Sequence, residues 1–205
     1  MSQSRSGETA LVTAAAGGVG TALLQLLKLA GMKTYGAASP SKHGTVARFG
    51  AVPIDYRAGR LDLLVREREP HGVDYVFDAV GGANTLLCIS AARRGGTVVG
   101  YGFLAVGGKL ATLAMFANLY VTARLRGRRG TFYGITLLYR KTPALLLEDL
   151  PKIFALVAQK KIDPSVDVTF PLLEARRALE LLAAGSVEGK IVLTNHSAPI
   201  VEPAV

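Results

Sequence analysis

The sequence predicts a doubly wound parallel α/β sheet followed by a C-terminal extension of helices and short strands. Three observations predict it. Short β-rich runs alternate with helical patterns through the first half of the chain, the signature of a parallel α/β sheet. A glycine-rich turn stands between the first strand and the first helix. The composition, 50% hydrophobic and 19% charged over 205 residues with a mean hydropathy of +0.32, is that of a globular chain, because disorder needs low hydrophobicity and high charge.

The elements follow in order. Thr9 to Ala14 reads as a buried strand, and the turn Ala14 to Gly20 feeds a helix from Val19 to Leu29 that Gly31 ends. Leu23, Leu24, Leu26, Leu27 and Ala30 give that helix a broad apolar stripe at helical spacing. Lys33 to Ala38 is the second strand, Ser41 to Phe49 a helix stopped at Gly50, and Val52 to Asp55 a third strand. A charged helix from Leu61 to Arg68 precedes the strand Val73 to Val80. A helix over Ala83 to Ala92 closes at Gly95-Gly96, and Thr97 to Tyr101 is the fifth strand. Leu110 to Leu125 is expected as a largely buried helix, and Thr131 to Thr136 as a sixth, edge strand. Beyond Pro143 come helices over Leu145 to Lys160 and Leu172 to Ala184, the second flanked by strand-like pieces, Val166 to Phe170 and Lys190 to Thr194. The expected division is a lead at 1–8, a nucleotide-fold domain at 9–140, an extension packing on it at 141–196, and a mobile tail from Ser197 to Val205.

Composition excludes several classes. The single cysteine, Cys88, rules out a disulfide framework and a multi-cysteine zinc site. The polar start has no apolar signal core, and the apolar run from Leu110 to Ala123 is too short to span a membrane. A reducing, cytoplasmic setting is expected. There is no Tyr-x-x-x-Lys pair, no G-x-x-x-x-G-K-[ST] phosphate loop and no correctly spaced nucleophile elbow. His43, His71 and His196 are scattered, so no metal is expected.

The chemistry concentrates in Thr13-Ala14-Ala15-Ala16-Gly17-Gly18-Val19-Gly20. Gly17 lets the backbone approach a pyrophosphate, whose charge meets exposed N–H groups at the helix N-terminus. Gly20 lets that helix pack close to its strand. A tight turn without ligand is the alternative, and Ala15 stands where the usual G-x-G-x-x-G pattern has its first glycine. At the end of the second strand, an NAD-specific site carries an acid for the ribose 2′-hydroxyl. Here Ser39, Ser41 and Lys42 stand instead, with no acid to repel a 2′-phosphate, which favours NADP over NAD. The alternative is that Ser39-Pro40-Ser41 only caps the next helix.

The run Gly7 to Gly20 resembles the medium-chain dehydrogenase/reductase superfamily, and its zinc-free quinone oxidoreductase (zeta-crystallin-like) branch most closely. That branch carries A-x-x-G-x-x-G in this loop, met by Ala14, Gly17 and Gly20. The similarity continues through Phe49-Gly50-Ala51, Ile54 to Arg57, Val76 to Gly82, Gly95 to Gly102, Leu181 to Gly185 and Gly189 to Leu193. The resemblance implies a Rossmann domain binding NADP(H). Ala15, Ala16, Gly17, Gly18 and Val19 would then form the pyrophosphate loop, and Ser39, Lys42 and Tyr56 would surround the adenosine ribose and its 2′-phosphate. Ala79, Val80 and Gly81 would pass under the cofactor, while Tyr101, Gly102 and Phe103 would lie beside the nicotinamide.

The resemblance also implies hydride transfer from NADPH to a quinone or an activated alkene without a metal, and a homodimer formed through the edge strand at Thr131 to Thr136. Such enzymes carry an N-terminal barrel-like domain that completes the substrate cleft, and this chain begins where that domain should end. The alternative is therefore a non-catalytic NADP(H)-binding module, or half of an enzyme whose substrate domain is missing. No side chain stands out as acid or base.

The charge of +9 invites an anionic partner. Arg124, Arg126, Arg128, Arg129, Arg140 and Lys141 cluster without the interleaved aromatics of a nucleic-acid surface. A solvated loop or steering of NADPH are the readings left open.

Overall fold

A computed structural model of the chain describes residues 7–104 and 107–195. The expected tail and most of the expected lead lie outside those residues. The strands are β1 (Thr9–Val12), β2 (Lys33–Ala38), β3 (Val52–Asp55), β4 (Val73–Asp78), β5 (Ala92–Gly100) and β6 (Arg129–Phe132). They form one six-stranded sheet in the order β3-β2-β1-β4-β5-β6, and every pairing is parallel. This is the doubly wound order, which reverses direction between β1 and β4. The fold class is the one the sequence predicts.

Alternation along the strands divides the core into two layers. Leu11 of β1 faces one layer with Tyr35, Ile54, Val76, Ile89 and Val98. Its neighbours Ala10 and Val12 face the other, with Leu24, Leu27, Val46 and Phe49. Helices α1 (Gly18–Leu29) and α2 (His43–Arg48) supply the second layer, and α3 (Leu61–Arg66) and α4 (Asn84–Ala91) the first.

Two expectations need correcting. The apolar run past Leu110 is a helix, α5 (Gly108–Ala117), which continues through a wide turn, Asn118–Thr122, into the short α6 (Ala123–Leu125). It is not largely buried. Met115, Leu119 and Ala123, spaced four apart, form one buried stripe, while Leu110, Leu113, Val121 and Leu125 are exposed. Its apolar composition exceeds what one helix face can bury against one sheet.

The edge strand is also displaced, covering Arg129–Phe132 rather than Thr131 to Thr136. Gly130 sets the position, because a Cβ there would overlap the Leu119 carbonyl, so only glycine allows the strand this close to the helix. Past Gly134 the chain turns into α7 (Ile135–Lys141).

The extension comprises α8 (Pro143–Ala158), β7 (Val166–Pro171), α9 (Ala175–Ala183) and β8 (Lys190–Thr194). β7 and β8 pair in parallel as a separate two-stranded sheet over a small core of Val168, Phe170 and Ala178. Gln25 of α1 ties it down, accepting the Asp163 N–H at 2.6 Å and donating to the Asp163 carbonyl at 2.9 Å. α8 has no buried residue.

Candidate functional site

In a parallel sheet, the loops that follow the strands emerge together at one end. Residues 13–19, 39–42, 79–81 and 101–103 follow β1, β2, β4 and β5 respectively. The topology therefore brings four separate sequence stretches to the crevice where the winding reverses, the usual place for a ligand in such sheets.

The first loop is tightly built. Ala14 has φ of 49°, Gly17 donates to the Ala14 carbonyl at 3.0 Å, and Ala15 donates to the Ala37 carbonyl at 3.1 Å. Gly17 caps α1, leaving the N–H groups of the first helical turn without intrahelical partners. A Cβ on Gly20 would lie 2.6 Å from the Ala15 carbonyl oxygen, so the helix can start against this turn only as glycine. The result is a helix N-terminus aimed into the crevice, where the backbone dipole favours an anion.

The residues that follow β2 and β3 differ in exposure. Ser39 is buried, and its hydroxyl lies 3.2 Å from that of Ser41. The Lys42 ammonium donates to the Val187 carbonyl at 2.7 Å. Tyr56 is 48% exposed, with the Arg57 guanidinium over its ring at 5.7 Å. The neighbouring Asp55 carboxylate accepts the Arg57 N–H at 2.9 Å and so caps its own turn.

The loop after β4 is organised by Asp78. This buried carboxylate accepts hydrogen bonds from the Thr13 and Thr85 hydroxyls, the Asn84 amide, and the Val80 and Gly81 N–H groups. Ala79 in turn donates its N–H to the Thr13 hydroxyl at 3.0 Å. Gly81 and Gly82 both take positive φ, 72° and 59°, which completes the sharp turn.

Tyr101 points back beneath this loop and donates its hydroxyl to the Thr13 carbonyl at 3.3 Å. Burial, then the Asp78 charge and Cys88, push the phenol pKa up, so it stays a neutral donor. Gly102 passes so close to Ala79 that a Cβ would lie 3.1 Å from its Cα. Phe103 stacks at a tilt on Phe132, with ring centres 4.9 Å apart.

Sequence reasoning missed two parts of this arrangement. The first is the Thr13–Asp78 bond, since strand periodicity assigns no roles to polar residues at strand ends. The second is the strap from Val187 to Lys190. Gly189 donates to the Ala16 carbonyl at 2.8 Å, and a Cβ on Gly18 would lie 3.1 Å from the Lys190 ammonium. A lysine thus stands at the N-terminus of α1, supplied from about 170 positions downstream in sequence. No local pattern reports such a juxtaposition.

Comparison with known proteins decides the family. Residues 49–193 match the model described as zinc-binding dehydrogenase. The chain belongs to that family. Within this zinc-binding dehydrogenase family it falls in the quinone-oxidoreductase-like branch of the medium-chain dehydrogenase/reductase superfamily, as a nucleotide-binding part. It is 31% identical over 203 residues to the synaptic vesicle membrane protein VAT-1 homolog of Danio rerio, an alignment covering 94% of this chain and 42% of that protein. Its fold resembles the quinone oxidoreductase of Escherichia coli complexed with NADPH, with a TM-score of 0.76 and 27% identity, covering 92% of this chain and 57% of that one. The quinone oxidoreductase of Coxiella burnetii gives a TM-score of 0.75 at 26% identity, covering 95% and 55%.

The chain thus spans about half the length of these relatives. Despite the family's name, no group of three or more His, Cys, Asp or Glu among the described residues could hold a metal ion. Among the same residues, no helix is long and apolar enough to cross a membrane.

Proposed function

We propose that this chain is the NADP(H)-binding part of a quinone-oxidoreductase-type enzyme that reduces a quinone or an activated alkene. The observation that carries the proposal is the β1 turn, with its glycine-enforced helix N-terminus at the reversal of the sheet. Ala15, Ala16, Gly17, Gly18 and Val19 form the turn around the cofactor's pyrophosphate, to which Gly18 and Val19 in the first turn of α1 present backbone N–H groups, and Lys190 adds a full positive charge beside them. Ser39 and Lys42 receive the ribose 2′-phosphate, and Tyr56 covers the adenosine side. For Lys42 this means exchanging the Val187 carbonyl for a phosphate oxygen, a charge-assisted contact in place of a neutral acceptor.

The bound nicotinamide would supply the hydride. The residues of this chain position it. Ala79, Val80 and Gly81 form a floor fixed by Asp78, while Gly102 and Phe103 flank it. Tyr101 braces that floor through Thr13. Ring and backbone surfaces hold the reacting face in place and exclude water, which contributes by orientation.

A helix α8 with no buried residue supports a second reading. In it, this nucleotide-binding part acts as a cofactor-binding module, with any substrate surface supplied from outside it. We also place the chain in the cytoplasm and pair two copies through the β6 edge.

Fluorescence titration with NADPH and NADH tests the cofactor, and turnover with a quinone and an enone tests the reaction. NADPH binding tighter than NADH, with reduction of either acceptor, is expected. Equal or absent affinities overturn the cofactor assignment, and NADPH binding without turnover favours the module reading.

A further inference from the structure

Four arginines and a histidine line one cavity of about 460 Å³ at the other end of the sheet. Arg66 ends α3, His71 precedes β4, Arg93 and Arg94 lie at the start of β5, and Arg128 stands just ahead of β6. All lie before their strands or at strand starts, whereas the cofactor loops follow their strands. The sheet itself separates the two places.

The charge here is only partly neutralised from within. Arg93 is paired with Asp74. The nearby Glu69 is taken by Lys33 at 2.9 Å and Tyr35 at 2.8 Å. Among the described residues, Arg66, Arg94, Arg126 and Arg128 form no ion pair with a carboxylate.

Neutral acceptors hold these side chains in place instead. Arg66 donates to the Pro70 and Ser90 carbonyls at 3.0 and 2.7 Å. Arg128 donates to the Ala92 and Arg126 carbonyls at 3.1 and 2.6 Å, and Arg126 to the Ser90 hydroxyl at 3.1 Å. Several of these acceptors sit at the C-terminal end of α4, where one cation would satisfy the helix end. The cluster supplies far more charge than that. Each guanidinium has five N–H donors, so donors remain for a ligand. Burial, followed by the charges of Arg66, Arg126 and Arg94, lowers the pKa of Arg128. Like charges are being held together at a cost that an anion would remove.

We propose that this cavity binds a phosphate-bearing anion, as a phosphate or diphosphate group, separately from the cofactor crevice. A carboxylate offers one charge and two oxygens. Oriented guanidiniums approaching from α3, β5 and the β6 approach match the several oxygens and higher charge of a phosphoryl group. The assignment also gives a role to part of the basic excess that the nucleotide site leaves unused.

Calorimetric titration of the full chain with inorganic phosphate and, separately, pyrophosphate tests this in about 0.15 M salt, where non-specific attraction is screened. A saturable site is expected that is weakened tenfold or more by Arg94→Gln and by Arg128→Gln and retained in Lys190→Gln, which removes only binding at the β1 turn. Arg94 is exposed, so its variant keeps the fold and carries the test alone if Arg128→Gln does not fold. Tighter binding of pyrophosphate than phosphate assigns a diphosphate, and the reverse a single phosphoryl group. Absence of saturable binding overturns the proposal, as does a site that survives Arg94→Gln at full affinity or is lost in Lys190→Gln.

Discussion

Thr13, just past β1, donates its hydroxyl to the Asp78 carboxylate at the end of β4, 3.2 Å away. The bond crosses the point where the sheet reverses its winding, and the same hydroxyl receives the Ala79 N–H. One side chain therefore sets the spacing between the two loops that we assign to the pyrophosphate and to the cofactor floor.

Thr13→Val keeps the shape and removes both bonds. It leaves the buried Ala79 N–H without that acceptor and takes one donor from Asp78, a loss of about 1–3 kcal/mol. Urea denaturation should show this destabilisation, and NADPH affinity should fall as the loops lose register. A variant as stable as the parent with unchanged affinity would remove the clamp from the account.

Gly20→Ala tests the close approach of α1 to its turn. The added Cβ would press on the Ala14 and Ala15 carbonyls, and this backbone cannot move without shifting the turn. Overpacking of this kind costs about 1–3 kcal/mol. The expected result is a lower melting temperature together with weaker NADPH binding. The comparable change at Gly44, where a Cβ meets nothing within 4 Å, should leave binding untouched.

Lys42→Ala separates the two cofactors. Loss of a charge-assisted contact to the 2′-phosphate should weaken NADPH by about 1–3 kcal/mol, roughly 5- to 150-fold, and leave NADH nearly unchanged. A parallel loss for both would mean that Lys42 matters only by holding the Val187 carbonyl.

The sheet was legible because its signals are local. Leu11 flanked by Ala10 and Val12, and glycines at 17, 18 and 20, encode strand, turn and helix within twelve residues. The placement of the candidate stretches at the crevice is legible for the same reason, since each follows a strand end. What escaped depended on distance or competition. Lys190 meets Gly18 across about 170 residues of intervening chain. β6 was misplaced because Thr131 to Thr136 has strand propensity, whereas the fit of Gly130 under Leu119 decides the register. The length of α5 read as burial, but composition does not reveal how much surface one neighbour can cover.

Asp74 predicts part of the acid response. Burial raises its pKa, but the Thr9 N–H, the Arg93 guanidinium and the Thr9 hydroxyl outweigh this and hold it below its ordinary 3.8. Because the folded value is the lower one, the contribution is complete above the ordinary value and disappears as pH falls through the folded value. Asp74→Asn should therefore be less stable than the parent near neutrality, and the difference should shrink below about pH 4. Chemical denaturation at several pH values measures it, and a difference that is constant or grows on acidification would contradict the assignment.

The β6 edge is narrower than a pairing surface usually is. The strand has four residues, and the Phe132 N–H is already taken by the Tyr120 hydroxyl at 3.2 Å. An open edge invites another strand, but here that hydroxyl competes with it. If two copies pair through this edge, Tyr120→Phe frees an outward N–H and should strengthen association, seen in sedimentation as a dimer forming at lower concentration. Thr131→Lys adds a charge where two identical edges would meet and should weaken it. A dimer indifferent to both substitutions would have to form elsewhere, and the exposed Leu147 and Phe154 of α8 then become the next residues to change.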